Sequence, residues 1–160
     1  MTQYPVLATN AILVGDVPLF MEWEAAVSSV ILAGDVVQFN APPGDCTIKE
    51  AVVDSTEAIG IANIHPVPGA TPPRGGDRVT AFAAGDQVEV MRGDLTVMLR
   101  VAHTNAIQCG EMVQPAAGGE VMAFICGTDN DCQRIAQSLY TIASDTTTFQ
   151  WGLFALERFG

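Results

Sequence analysis

The chain has 160 residues, 49% of them apolar, with 18 acidic against 7 basic side chains and a net charge of −11. That is enough apolar material for one domain that buries about 70% of the surface its unfolded form exposes. With Lys49 as the only lysine and no cluster of cations, neither nucleic acid nor an anionic membrane surface is expected as a partner, since both need grouped Lys and Arg.

Residues 1–24 scatter Tyr4, Val6, Leu7, Ile12, Leu13, Val14, Phe20 and Trp23 among the breakers Pro5, Gly15 and Pro18. This is too irregular for a helix and too apolar for a free tail. An arm over residues 1–27 is therefore expected either to pack on its own domain as an edge strand or to dock on a neighbouring subunit. Asp16, Glu22 and Glu24 stand where a secretory leader avoids acids, so synthesis in the cytosol is expected. The four cysteines, Cys46, Cys109, Cys126 and Cys132, are then reduced, small buried or half-buried thiols. No run reaches the roughly 18 apolar residues that span a bilayer.

A single β-rich domain is expected over residues 28–160. Val30 to Leu32 leads into the turn Ala33-Gly34-Asp35 and the strand Val36, Val37, Phe39. Residues 41–45 form a Pro-Gly-Asp turn, and residues 51–53 and 58–62 read as short strands. Gly60 marks a bulge or a close backbone approach. Residues 66–76, with four prolines and three glycines, make a stiff exposed loop. Residues 81–113 then carry the clearest pattern. Val88 and Val90 alternate with Gln87 and Glu89, and Arg92-Gly93-Asp94 offers a tight turn. Beyond it Leu95, Val97, Leu99 and Val101 fall on one face, with Thr96, Met98 and Arg100 on the other. A period of two around a Gly-Asp pair predicts a hairpin with one buried face. Cys109-Gly110-Glu111 repeats this turn-then-strand grammar, residues 115–119 turn again, and residues 120–126 and 149–159 read as strands.

Residues 134–143 fit a helical face by Ile135, Leu139 and Ile142, with Asp129, Asn130 or Asp131 as cap, and a strand by Tyr140, Thr141 and Ile142. An internal repeat favours the strand. Gly34-Asp35-Val36-Val37 resembles Gly110-Glu111-Met112-Val113, 76 residues later, and Gly60-Ile61-Ala62 resembles Arg134-Ile135-Ala136, 74 residues later. The fold predicted is mainly β, a small β-barrel or sandwich built from two similar turn-strand units (31–90 and 106–156), each closing the other's edges.

No nucleophile elbow and no phosphate-binding Gly-rich loop occurs. A metal site from His65, His103, Cys126 and Cys132 lacks short ligand spacing. Asp129-Asn130-Asp131 opens like a calcium loop, but Arg134 and Tyr140 stand where glycine and glutamate are required. The remaining acids follow turn glycines, where carboxylates cap backbone amides. No catalytic residue, cofactor or metal is predicted.

The strings Ala33-Gly34-Asp35-Val36-Val37, Ala58-Ile59-Gly60-Ile61-Ala62 and Gly85-Asp86-Gln87-Val88-Glu89-Val90, with residues 107–113 and 115–121, resemble the small capsid decoration (cement) proteins of tailed bacterial or archaeal viruses. The resemblance covers roughly residues 30–125, and the long loop at 66–76 departs from it. It implies a β-rich structural virion protein, made in the host cytoplasm and bound outside an icosahedral shell as a homotrimer. There it stabilises the expanded shell by bridging capsomers, with the major capsid protein and itself as partners. Under this reading Leu7, Leu13, Phe20 and Trp23 of the arm are the expected capsid or subunit contacts, by strand addition to an exposed sheet edge. The competing readings are a receptor- or glycan-binding head or fibre module and a small β-barrel enzyme.

Overall fold

A computed structural model describes residues 19–25, 30–40, 46–63, 81–102, 104–144 and 150–157. The protein is mainly β. Its strands are β1 (Leu19–Ala25), β2 (Val36–Phe39), β3 (Thr47–Glu50), β4 (Ala58–Ala62), β5 (Gln87–Arg92), β6 (Thr96–Val101), β7 (Met112–Pro115), β8 (Val121–Ala123), β9 (Ala136–Ser138) and β10 (Gln150–Leu156). They close into two five-stranded barrels, β1-β3-β2-β4-β5 and β6-β8-β7-β9-β10. Closure leaves each sheet without a free outer strand, which removes the edge that β proteins otherwise have to protect.

The barrels have the same connectivity. In each, the first strand runs parallel to the third (β1 with β3, β6 with β8), and every other pairing is antiparallel. The registers match as well. Val36 pairs with Ile61 and Met112 with Gln137, each member displaced by 76 positions, and Val37–Gly60 corresponds in the same way to Val113–Ala136. Hence Gly60-Ile61-Ala62 aligns with Ala136-Gln137-Ser138, two residues beyond the match read from the sequence. A slip of two keeps every side chain on its face, so alternation alone cannot detect it.

A recurring turn explains the strand starts and the placement of three of the acids. At Gly34, Gly85 and Gly110 φ is +85°, +84° and +84°, the left-handed region that glycine enters without a Cβ clash. The residue after each glycine donates its N–H to the carbonyl three positions back, from Asp35 to Leu32, Asp86 to Ala83 and Glu111 to Gln108, at 3.0–3.1 Å. The carboxylate of that same residue accepts the N–H of the same partner, at 2.7 Å in all three. Each acid thus closes its turn twice.

Several expectations need correction. Residues 87–92 and 96–101 are strands, yet they do not form a hairpin: β5 pairs with β1 and β4, β6 with β10 and β8. Gly93 and Asp94 therefore link the two barrels. Each unit also closes on itself instead of sealing the other's edges. Within the segment 1–27, residues 19–25 form β1 in register with β5, so this stretch packs on its own domain, one of the two placements expected for it. The strand expected at residues 51–53 lies earlier, at Thr47–Glu50. Residues 134–143 contain the short strand β9, preceded by a 3-10 helix, Asp131–Gln133, which Asn130 caps. The loop at 66–76 lies outside the described residues.

Two apolar clusters fill the molecule. One occupies barrel 1: Ala25, Ile31, Val37, Ile48, Val88 and Val90 among others. The other fills barrel 2 around Val97, Leu99, Val113, Val121 and Phe154, and extends into barrel 1 through Val36, Ile61 and Met91. Those three lie in one row across β2, β4 and β5, opposite in parity to Val37 and Ala62. Barrel 1 is consequently apolar on both faces of that patch, which is why Val36 and Val37 are consecutive and both fully buried. A side chain such as Phe154, with no exposed surface, contributes about 1.5–3 kcal/mol by burial. Packing is tight enough to dictate glycine at position 60, where a Cβ would lie 2.6 Å from the Met91 carbonyl oxygen and against Val90.

Candidate functional site

A buried polar cluster lies at the junction of the two barrels. Asp35, from the turn before β2, is fully buried, and Arg100, on β6, is 6% exposed. Arg100 Nη2 lies 2.5 Å from Asp35 Oδ1 and donates to the Gly118 carbonyl at 2.9 Å. Gly118 belongs to a 3-10 helix, Ala117–Gly119, after β7. The next residue, Gly119, has φ +72°, and a Cβ there would stand 2.7 Å from Asp35 Cβ. Its N–H donates to the Ala51 carbonyl of barrel 1 at 3.3 Å. Burial pushes the Asp35 carboxyl up to about 7, against the opposing pull of Arg100 and of the Leu32 amide. A buried ion pair of this kind is a lock more than a source of stability, because desolvation offsets much of its Coulomb attraction.

A second set of bonds grips the turn that leaves β3. Among the described residues Asp54 is one of three non-glycine positions with positive φ, at +58°. Its N–H donates to the Pro115 carbonyl at 3.1 Å, its own carbonyl accepts from Gln133 Nε2 at 2.8 Å, and its Oδ1 accepts from Gln114 Nε2 at 3.2 Å. Gln38, the counterpart of Gln114 in barrel 1, accepts the Val52 N–H at 2.9 Å. Both glutamines are buried, and both hold the same turn.

That turn occurs twice. Ser55 N–H donates to Val52 O at 3.2 Å, and Thr128 N–H to Ile125 O at 3.1 Å. The third residue has positive φ in each, Asp54 at +58° and Gly127 at +83°. Both therefore have the form of a type II turn. Both carry apolar side chains into solvent: Val52 is 48% exposed, Val53 51% and Ile125 59%. The residues just before them, Ala51 and Phe124, point inward and are buried. The Gln133–Asp54 bond joins the segment following the second turn directly to the first.

Of the contacts expected on the arm, Leu7 and Leu13 lie outside the described residues. Phe20 and Trp23 are residues of β1, in register with Met91 and Val88. His65 and His103 also lie outside the described residues. The cysteines depart from the expected burial, since Cys46, Cys109, Cys126 and Cys132 are all exposed free thiols. Among the described residues no group of three or more His, Cys, Asp and Glu is placed to hold a metal ion. Sequence reasoning placed Arg100 on the polar face of its strand and missed its burial. The available signal was a lone arginine among Met98, Leu99 and Val101 in a chain with few cations.

No family model matches the chain, and no curated protein matches its sequence. Among solved structures it is similar to the N base of the head fibre gp8.5 of bacteriophage phi29. The two are 14% identical, with a TM-score of 0.46, over 87% of this chain and 95% of that one.

Proposed function

We propose that the chain is a structural virion protein that binds the outside of an icosahedral shell and stabilises it by bridging neighbouring capsomers, without making or breaking bonds. The observation that carries this reading is the locked junction. A bridge transmits load only if its parts cannot move independently, and here a core continuous between the barrels is reinforced by Asp35–Arg100 and by the grip on Asp54. The sequence strings that resemble decoration proteins support the same role, and so does an acidic surface, which keeps a body soluble and apart from nucleic acid until it docks. Binding only to the assembled shell adds its free energy to shell stability by linkage. A homotrimer, with the major capsid protein as partner, would multiply weak contacts into avidity.

The test is co-sedimentation of the purified chain with emptied shells of its virion, followed by thermal disruption of loaded and bare shells. The chain is expected to pellet with the shells and raise their disruption temperature. A chain that stays in the supernatant at saturating shell concentration overturns the proposal.

A further inference from the structure

Resting on that reading, we infer that the apolar tips of the two equivalent turns, Val52 and Val53 on one and Ile125 on the other, are where the chain seats on its shell partner. The partner surface would offer apolar sockets rimmed by Lys and Arg.

Turns are ordinarily built from Gly, Pro, Asn, Asp and Ser, each of which meets a backbone or local hydrogen-bonding demand. Here the turn geometry requires a special residue only at its third position, filled by Asp54 and Gly127. The first two positions are free of backbone demand, and three of those four are bulky apolar side chains about half in solvent. Apolar tips recur at the same place in both repeats although the sequences around them differ. Ala51 and Phe124, just before the tips, are buried, whereas the tips themselves stand about half in solvent. The Gln133–Asp54 bond ties the segment after the second turn to the first turn, and exposed apolar groups held on linked turns can form an interaction surface.

The charge around the tips selects the partner. Asp54, Glu57 and Asp131 are exposed beside the turns, and the nearby Arg134 lies 3.7 Å from Glu157. A second copy of the chain would bring the same acids against them, and like charges facing each other oppose association. A cationic rim complements them. Apolar anchors in sockets would then supply the affinity, and the charged rim the orientation.

The experiment compares the full chain with the triple variant Val52→Ser, Val53→Ser, Ile125→Ser in co-sedimentation with emptied shells, at low and high salt. Circular dichroism and a thermal melt establish that the variant is folded, as expected for three exposed side chains. The expected result is wild-type binding that weakens as salt rises, and a loss of about tenfold or more in apparent affinity in the variant. Failure of the wild-type chain to bind overturns both this assignment and the proposed function. Wild-type binding with an equally tight variant overturns the assignment alone, as does a variant that binds normally while deletion of residues 1–14 abolishes binding. A variant altered only in its own oligomeric state would identify the tips as a contact between copies, which also refutes the assignment.

Discussion

Replacing Arg100 by methionine isolates what the buried ion pair does. The substitution keeps most of the volume and removes the charge. Asp35 then loses the partner that pulls its pKa down, so a carboxyl already raised from 3.8 to about 7 rises further. The sign follows from proton linkage: the folded state holds this proton more tightly than the unfolded chain. The group's contribution to stability is complete below pH 3.8 and falls away as pH rises to about 7 in the wild-type protein. At about 1.4 kcal/mol per pH unit, that window is worth on the order of 4 kcal/mol. In Arg100→Met the window extends upward. Near about pH 5 Asp35 is neutral in both proteins, and the variant loses Arg100's hydrogen bonds to the Gly118 carbonyl and to the neutral carboxyl, about 1–2 kcal/mol. Near about pH 9 the variant must bury an unpaired carboxylate or hold a proton against the solvent, a loss of about 3–5 kcal/mol. Urea denaturation at the two pH values measures the difference. Equal losses at both, or a greater loss at the acidic one, would refute the reasoning.

Two further outcomes follow from the same region and from the surface. Gly119→Ala should destabilise by about 2–4 kcal/mol, since its Cβ meets the buried Asp35 side chain at a positive φ. Gly118→Ala, whose Cβ meets nothing within 4 Å, should cost only the roughly 1 kcal/mol of its backbone conformation. Thermal melts of the two variants should differ in that order, and similar melts would count against the close approach at Gly119. The four exposed thiols should all react with a colorimetric thiol reagent in the native protein without denaturant. A thiol that waits for unfolding would show that its position is buried or bridged.

The turn chemistry was legible in the residues themselves, as was the 76-residue offset between residues 34–37 and 110–113, but the register of Gly60-Ile61-Ala62 was not. A glycine followed by an acid specifies the left-handed position and supplies the carboxylate that closes the turn, and both effects act within four residues. Parity along β6 likewise placed Leu95, Val97, Leu99 and Val101 on one face, and all four are buried. Pairing was not legible. The Gly93-Asp94 turn has the local form of a hairpin, yet the strands on either side pair within different barrels.

The same distinction holds at the candidate site. Asp35, Asp86 and Glu111 are interchangeable in local sequence, and each closes its turn identically. Nothing within ten residues of Asp35 announces that it alone is fully buried with an arginine from the other barrel. That outcome depends on how barrel 1 lies against barrel 2, with Val36, Ile61 and Met91 packed into the shared core. Nor does local sequence reveal that Val52, Val53 and Ile125 stand in solvent, since β-branched residues there read as strand. Short-range hydrogen bonding is written into adjacent residues and so can be read from them. The partner of a buried charge and the exposure of an apolar side chain are set by surfaces that meet only when the two barrels close and dock.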